Sequence, residues 1–350
     1  MLYFRGHIIK KDGKRGMDDE QQVMLSVKDL SKSIGAVPVV SAISINLGAG
    51  RKLAIAGETG SGKTTLLKMI GGYIQPDSGE ILFKDKPVLG PEEKLIPGHR
   101  EIGYVSQHFE LRNNYRVEEE LSYTNQLTDE AAAKIYEICH ITHLLKRWTD
   151  ELSGGEKQRI VIARVLISSP ALLLLDEPFS NLDLQHKEDM KLIIRDVGME
   201  LGIACIMISH DPLDMLAWAD EILVLKDGIM QQKGTGMQVY RQPANEYVAA
   251  LFGPYNIISA DAAIHFEEWP GIFSRKKDII LRPEAMTLYP SRQQHSISAK
   301  ISSIEYAGSH WIIGVECMGI LFLVRVQQHP FLVGDAVFLS ALPDAAWYIA

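Results

Sequence analysis

A glycine-rich loop between a predicted strand and a predicted helix is the feature that most constrains this chain. An apolar strand is predicted at Lys52 to Ala56, and a helix is predicted at Thr64 to Ile70, with Thr65 in its first turn. Between them the pattern G-x-x-x-x-G-K-[ST] is matched by Gly57, Glu58, Thr59, Gly60, Ser61, Gly62, Lys63 and Thr64. Backbone N–H groups of such a loop wrap around phosphate oxygens, and the positive end of the following helix favours the same anion. We therefore expect Lys63 to reach the β- and γ-phosphates of a nucleotide and the Thr64 hydroxyl to bind Mg²⁺.

Two adjacent carboxylates follow a second apolar strand. The strand is predicted at Leu172 to Leu175, and Asp176 and Glu177 come directly after it. Carboxylates in this position reach the carboxyl edge of a parallel sheet, where ligands of α/β proteins bind. We expect Asp176 to hold Mg²⁺ directly or through water, and Glu177 to polarise an attacking water molecule.

The periodicity of the first 250 residues or so favours an α/β fold with a mostly parallel sheet. Continuous apolar runs at Ala171 to Leu175 and Ile203 to Ile208 are typical of parallel strands that are covered on both faces. A helix is predicted from Gly155 to about Ser169, and the pattern from Val117 to Trp148 is mostly helical. Asp227 and Gly228 form a predicted hairpin turn.

The composition shifts near residues 252–254, and short strand-like runs follow. A small β domain is predicted from runs at Ser296 to Ile304, Trp311 to Glu316, Ile320 to Val326 and Ala336 to Leu339. The basic segment Met1 to Gly16 has no apolar stretch of the signal-peptide type, so it is left out of the fold prediction.

Composition disfavours several functional classes. The net charge of -8 argues against a nucleic-acid-binding protein, which more often carries a basic face. Three widely spaced cysteines do not indicate a disulfide framework. No apolar stretch reaches the roughly 18 residues of a membrane span.

The segment Leu152 to Arg159 provides a second group of anion-binding donors. Ser153, Gly154 and Gly155 open a predicted helix, so a hydroxyl and backbone N–H groups face outward at its positive end. The sequence resembles the LSGGQ-type signature of the ABC (ATP-binding cassette) ATPases. Glu156 stands where the family more commonly has Gln.

Further elements of the ABC family are present in the family's order. Gln107 resembles the glutamine of the Q-loop, which implies a catalytic and metal-binding role. The segment Ser180 to Asp183 resembles the D-loop, and His210 resembles the switch histidine. The resemblance covers about Val23 to Phe252. One position departs from it: Ile34 stands where the family usually has an aromatic residue that stacks on adenine.

The C-terminal part resembles the bacterial importer branch of the family. Residues 234–249 are similar to the exit segment of importer ATPases, and Arg282, Pro283 and Glu284 resemble the R-P-E motif of their TOBE-type β domain. Segments Ile304 to Gly308 and Val333 to Val337 match later strands of that domain. The β domain has under 100 residues, which fits importers of polyamines, ferric iron or oxyanions slightly better than sugar importers.

These resemblances imply a fold and a set of domains. We expect a P-loop NTPase sheet with a helical ABC subdomain, followed by a small all-β (TOBE/OB-like) domain. The predicted divisions are an N-terminal extension (1–22), an ABC ATPase domain (23–253) and a TOBE-like domain (254–350).

The implied function is an ATPase that energises an ABC importer from the cytoplasmic face of the bacterial inner membrane. Two copies are expected to sandwich two ATP molecules with Mg²⁺, with Ser153 to Gly155 and Asp183 of each copy at the nucleotide of the other. Glu177 and His210 would position water while Lys63 and Mg²⁺ absorb developing charge. Permease subunits would bind near Glu110 to Tyr115, and a solute-binding protein would act indirectly.

Three alternatives remain open at this point. A soluble ABC ATPase of DNA repair or translation would have a long coiled coil or two cassettes, whereas about 90 residues separate Gly62 from Ser153 and only one cassette is present. A regulatory cassette without turnover is opposed by Glu177 and His210. An exporter ATPase is opposed by the C-terminal domain.

Overall fold

The N-terminal region of the computed structural model begins with antiparallel strands and the strand–loop–helix unit. The structure describes residues 23–106, 111–180, 182–209, 211–273 and 276–349. The first elements are β1 (Val23–Ile34), β2 (Val37–Gly48), β3 (Lys52–Ala56), α1 (Lys63–Ile70), β4 (Ser78–Phe83), β5 (Lys86–Pro87) and β6 (Ile102–Val105). Strands β2, β1, β4 and β5 form an antiparallel sheet in that order.

A mainly helical segment follows and then returns to the sheet. Its elements are α2 (Val117–Ser122), α3 (Asp129–Ile138), short 3-10 turns at Thr142–Leu144 and Thr149–Glu151, and α4 (Gly154–Leu166). The predicted helical stretch from Val117 to Trp148 is thus divided. Thr128 ends the break between the first two helices, because its hydroxyl accepts a hydrogen bond from the Ala131 N–H at 3.3 Å and caps α3.

The remaining N-terminal elements complete a six-stranded sheet. They are β7 (Leu172–Asp176), α5 (Leu184–Glu200), β8 (Ala204–Ile208), α6 (Pro212–Trp218), β9 (Glu221–Lys226), β10 (Ile229–Gly234), α7 (Gly236–Arg241) and α8 (Glu246–Leu251). The strand order is β10-β9-β3-β8-β7-β6, with every pairing parallel except the β9–β10 hairpin. The predicted parallel sheet and the hairpin at Asp227 and Gly228 are confirmed.

The central strands are covered on both faces, which explains their continuous apolar runs. In β7, Leu172 and Leu174 pack into a core with the antiparallel sheet and α1. The alternate residues Leu173 and Leu175 pack into a second core formed with helices α2 to α5. The carboxyl end of β7 therefore emerges between two rigid layers, and this fixes the position of Asp176.

The C-terminal region is all β apart from short 3-10 turns. Its strands are β11 (Asn256–Ile258), β12 (Asp278–Leu281), β13 (Met286–Tyr289), β14 (Ile297–Tyr306), β15 (Trp311–Cys317), β16 (Ile320–Val326), β17 (Ala336–Ala341) and β18 (Trp347–Ile349). They form antiparallel sheets in the orders β11-β12-β18 and β13-β17-β14-β15-β16. The four strands predicted from sequence are present, and the shorter β11, β12, β13 and β18 went unpredicted because three or four residues carry little periodicity.

The arginine of the R-P-E motif joins the two regions. Arg282 Nη1 donates to the carbonyl oxygens of Ala249, Gly253 and Pro254 at 3.0, 3.0 and 3.1 Å. Its Nε and Nη2 atoms both donate to the Tyr240 carbonyl at 3.0 and 2.9 Å. The guanidinium lies 4.2 Å from the centroid of the Tyr240 ring, an arrangement that adds cation–π attraction. One buried side chain thus ties the β region to the end of the α/β region.

Across the described ranges, no helix combines the length and the apolar character that a bilayer crossing requires. The cysteines Cys139, Cys205 and Cys317 are buried and free. The predicted α/β fold with a separate all-β C-terminal region is confirmed, whereas the proposed division at residue 253 stays a prediction.

Candidate nucleotide site

The glycine-rich loop is folded around the Lys63 ammonium. Lys63 is only 5% exposed, and its Nζ donates to the carbonyl oxygens of Gly57 and Glu58 at 2.8 and 2.7 Å. Burial lowers the pKa of Lys63, and the nearby charges of Glu177, Asp176 and Glu58 oppose this shift. The ammonium therefore lies inside the loop as a desolvated cation, suited to bind an anion.

Gly62 begins α1 in a conformation that few other residues could adopt. Its φ is 96°, and a Cβ added there would lie 2.2 Å from the Val39 carbonyl oxygen of β2. Ser61 is buried beside it, while Glu58, Thr59 and Gly60 are exposed at the mouth of the loop. The backbone of the loop is consequently open to a ligand on one side and packed against β2 on the other.

Tyr247 of α8 also holds the loop, and the sequence analysis did not select this residue. The Glu58 N–H donates to the Tyr247 hydroxyl at 3.1 Å, and that hydroxyl donates to the Leu225 carbonyl at 3.0 Å. The Lys226 ammonium lies 4.8 Å from the centroid of the same ring. Tyr247 is 189 residues away from Glu58 in sequence, so no local pattern could have indicated the contact.

Thr64 and Asp176 meet at the carboxyl edge of the sheet. The Thr64 hydroxyl donates to Asp176 Oδ1 at 3.1 Å, and the Tyr104 hydroxyl donates to Asp176 Oδ2 at 2.8 Å. Burial raises the pKa of Tyr104, and the Asp176 carboxylate raises it further, so the phenol stays protonated and remains a donor. Tyr104 lies near the site because β6 is the parallel neighbour of β7.

Glu177 has a backbone conformation that is unusual for a residue with a side chain. Its φ is 54°, its side chain is 9% exposed, and its N–H donates to the Ile208 carbonyl at 3.0 Å. Left-handed conformations of non-glycine residues cost free energy and are concentrated at functional sites. The turn directs the chain away from β7 immediately after Asp176.

The Ser153 segment forms a capped helix start. The Ser153 hydroxyl accepts a hydrogen bond from the Glu156 N–H at 3.3 Å, and the Glu156 carboxylate accepts one from the Ser153 N–H at 2.8 Å. Burial disfavours the charged carboxylate, but the hydrogen bonds from Ser153 outweigh burial and the pKa of Glu156 is lowered. Because Glu occupies position 156, this capping box is complete, and Ser153 and Gly154 are exposed at the helix end.

Helix α4 is also tied to the segment that carries the carboxylates. Gln158 is fully buried, and its Nε2 donates to the Pro178 carbonyl. Asp183 caps the next helix, α5, by accepting a hydrogen bond from the His186 N–H at 3.0 Å. Ser153 to Gly155 and Asp183 are called the second group of predicted residues below, and Lys63, Thr64, Asp176 and Glu177 are called the first group.

Ile34 ends β1 at the tip of a hairpin. It pairs with Val37 of β2, and these side chains are 64% and 65% exposed. Two residues beyond Val37, Val39 packs against Gly62, so the exposed aliphatic pair lies on the hairpin that supports the phosphate loop.

Several predicted residues lie outside the described part of the chain. These are the extension 1–22, Gln107, Glu110, Asn181 and His210. Their proposed roles stay predictions.

The donor set at Thr64 and Asp176 fits Mg²⁺. A hydroxyl and a carboxylate are hard oxygen ligands, and Mg²⁺ in nucleotide sites commonly takes one or two protein oxygens together with phosphate oxygens and water. Within the described residues there is no cluster of three or more His, Cys, Asp or Glu side chains of the kind that cages a metal without such a substrate.

Comparisons with known proteins agree with this geometry. Residues 40–180 match the family model of the ABC transporter, and residues 279–349 match that of the TOBE domain. The chain is 31% identical over 344 residues to the spermidine/putrescine import ATP-binding protein PotA of Clostridium acetobutylicum, covering 93% of this chain and 96% of that protein.

Solved structures are similar to the N-terminal region. CbiO1 of Clostridium perfringens, described as part of the ABC transporter complex cbiONQ, is 29% identical with a TM-score of 0.56, and the match covers 62% of this chain and 90% of that one. The ATP-binding cassette MJ0796, solved as a dimer in a post-hydrolysis state with ADP and Pi, is 25% identical with a TM-score of 0.53, and the match covers 61% and 98%.

Proposed function

Because this chain belongs to the ABC transporter family, as the ATP-binding and ATP-hydrolysing subunit of an importer, we propose that two copies pair head to tail and complete each other's phosphate sites. The observation that carries this proposal is that Ser153 and Asp183 cap helix starts and are exposed there, where a partner's nucleotide can reach them. Lys63, Thr64 and Asp176 form one group, and Ser153 lies on the capped turn of the other. A dimer of the related cassette MJ0796 supports a paired arrangement.

Within one copy, the first group binds the triphosphate. Lys63 exchanges its bonds to the Gly57 and Glu58 carbonyls for phosphate oxygens, and the loop amides donate to the same anion. Thr64 and Asp176 would hold Mg²⁺, which would neutralise charge on the phosphates. Tyr104 keeps the Asp176 carboxylate oriented from its other oxygen.

Hydrolysis depends on Glu177. Its carboxylate accepts a hydrogen bond from the attacking water, and the left-handed turn at φ 54° directs the residue away from the strand that carries Asp176. His210 would orient the same water, and Gln107 would contribute an oxygen to the metal. These last two roles are proposed on the sequence resemblance.

Each copy contributes its second group to the nucleotide of its partner. Ser153 and the N–H groups of Gly154 and Gly155 lie at the positive end of α4, where a γ-phosphate is favoured. Asp183 stands exposed at the start of α5 and reaches across the same interface.

The permease contact lies on the helical segment, near the residues that follow Gln107. The described part of this surface includes the Arg112 guanidinium, which lies 4.4 Å from the centroid of Tyr123 and 5.6 Å from that of Tyr115. Tyr123 is 60% exposed, so a rigid aromatic surface with a cation is presented there.

The subunit acts from the cytoplasmic face of the membrane, and a solute-binding protein delivers the solute. Polyamines are the first solutes to test, because the PotA relative is named for spermidine and putrescine import.

Mixed dimers test the head-to-tail arrangement. Lys63→Ala disables the first group, while Ser153→Asp keeps the helix cap and places a negative charge toward the phosphate. Each variant alone should lose phosphate release, and a 1:1 mixture should recover activity, up to about a quarter of the unmodified rate if pairing is random. Ser153→Thr, which keeps a neutral cap, is the matched control. A mixture that forms heterodimers but recovers no activity would contradict the arrangement.

A further inference from the structure

The imidazole of His186 lies between Asp183 and the Ser153–Gly155 turn, the two segments that contact the partner's nucleotide in the proposed dimer. On one side, His186 Nδ1 is 2.6 Å from Asp183 Oδ2. On the other side, the ring packs on Gly155: a Cβ added to this glycine would lie 2.7 Å from His186 Cδ2 and 3.2 Å from its Cγ. Gly155 is therefore in close contact with a side chain of α5, and no larger residue fits while the ring is in place.

Each of these contacts limits a different motion. The Asp183 carboxylate is held by two bonds, from the backbone N–H and from the ring of His186, and these bonds lower the pKa of Asp183. The turn at Gly155 is limited by Cδ2 and Cγ of the same ring. One planar ring therefore contacts both Asp183 and Gly155.

We propose that His186 is a positioning residue that keeps Asp183 and the Ser153–Gly155 turn at a fixed separation, so that one subunit presents both to the nucleotide of its partner. This inference rests on the proposed head-to-tail function. His186 itself does not touch the phosphate loop of its own subunit in any contact found among the described residues.

The proposal predicts different effects on nucleotide binding by one subunit and on ATP-driven dimerisation. Nucleotide binding by one subunit depends on Lys63 and its loop, so loss of the imidazole should leave it unchanged. ATP-driven dimer formation requires that Asp183 and the Ser153–Gly155 turn bind the partner's nucleotide at the same time. If either becomes more mobile, ordering it on association costs additional free energy. His186→Ala should therefore weaken dimerisation at least tenfold while the affinity of one subunit for ATP stays within twofold.

The experiment uses the full chain with Glu177→Gln, so that bound ATP is not consumed. The dimer dissociation constant is measured by analytical ultracentrifugation at saturating ATP and Mg²⁺, and nucleotide affinity is measured by titration at protein concentrations where the chain is monomeric. Asp189→Asn, an exposed change on the same helix, is the matched control.

Two further variants separate the contacts of the ring. His186→Leu keeps apolar packing against Gly155 and removes the bond to Asp183, whereas His186→Asn retains a short donor toward Asp183. Both should dimerise more tightly than His186→Ala, and Asn should restore part of the turnover rate in a Glu177 background without changing KM. If His186→Ala does not fold, His186→Leu and His186→Asn test the proposal in its place.

The outcomes distinguish the inference from the function on which it rests. If the Glu177→Gln parent forms no ATP-dependent dimer, the head-to-tail function fails and the positioning role fails with it. If the parent dimerises and His186→Ala dimerises equally well, the function stands and the positioning role is wrong. If His186→Ala weakens ATP binding by the monomer as much as it weakens dimerisation, the positioning role is also wrong, because the substitution then has a general structural effect.

Discussion

Thr64 and Asp176 lie 112 residues apart in sequence, yet the threonine hydroxyl donates a hydrogen bond to the aspartate Oδ1 at 3.1 Å. The sheet explains this meeting. Thr64 lies in the first turn of the helix after β3, Asp176 ends β7, and both strands flank β8 in parallel orientation. Two oxygen atoms of the same hard character therefore converge at one edge of the sheet.

The first prediction concerns this pair. Asp176→Asn retains an acceptor for Thr64 but removes the charge that attracts Mg²⁺, so phosphate release should fall by about 100-fold. The Mg²⁺ concentration for half-maximal activity should also rise. Tyr104→Phe is the matched control, since it removes the bond to Oδ2 and leaves the charge of Asp176. It should lower phosphate release by no more than about tenfold. If Asp176→Asn is as active as the unmodified protein at all Mg²⁺ concentrations, the assignment of Asp176 as a metal ligand is wrong.

The second prediction concerns Glu177. Replacement by Gln removes the negative charge beside the attacking water and leaves Thr64 and Asp176 intact. We expect ATP binding to persist, steady-state hydrolysis to be nearly lost, and a dimer to accumulate in ATP. Nucleotide titration and phosphate release on the same preparation check this, and undiminished turnover would rule out Glu177 as the water-activating residue.

The sequence predicted the phosphate loop and the Asp176 carboxylate because short patterns encode them. Lys63, Thr64 and Asp176 are each read from a few consecutive residues next to an apolar strand, and the parallel sheet then brings them together. By contrast, Tyr247 and His186 act on segments that are distant in sequence or depend on close packing. Neither residue type is unusual at its position, so only the folded chain identifies their contacts.

The third prediction concerns Tyr247, whose hydroxyl accepts the Glu58 N–H and supports the phosphate loop from α8. Tyr247→Phe leaves that N–H without its acceptor, a loss of about 1 kcal/mol, and should weaken ATP binding roughly fivefold. Tyr255→Phe removes a hydroxyl that bonds Glu246 instead, so it should leave ATP affinity unchanged. Equal affinities for the two variants in a nucleotide titration would show that the Tyr247 bond does not support the site.

The fourth prediction concerns Glu120, a fully buried carboxylate in the helical segment. Its Oε1 lies 2.6 Å from Arg164 of α4, and its Oε2 lies 3.5 Å from Arg112. Glu120→Gln leaves two cations uncompensated, and since both arginines are partly exposed we expect a loss of about 1–3 kcal/mol in the free energy of unfolding. Glu118→Gln, exposed on the same helix, is the control and should stay within about 0.5 kcal/mol in denaturant unfolding.

The fifth prediction concerns adenine. Ile34 and Val37 are an exposed aliphatic pair at the hairpin tip, and β2 continues from there to Val39, which packs on the phosphate loop. An aliphatic pair can cover a purine ring but offers it no π face. An aromatic pair gains about 0.5–1.5 kcal/mol beyond burial, so Ile34→Tyr should tighten ATP binding roughly two- to tenfold. Binding is measured with Glu177→Gln to prevent hydrolysis.

The affinity for inorganic tripolyphosphate separates stacking from any change in the loop. Tripolyphosphate carries the phosphates without the base, so its affinity should be the same with Ile or Tyr at position 34. Discrimination between ATP and GTP should also stay poor in both proteins, because stacking reads no base edge. If the Tyr variant binds ATP no more tightly, Ile34 does not cover the base and another side chain does. If it binds tripolyphosphate more tightly as well, the hairpin acts through Val39 on the phosphate loop and adenine stacking is not the cause.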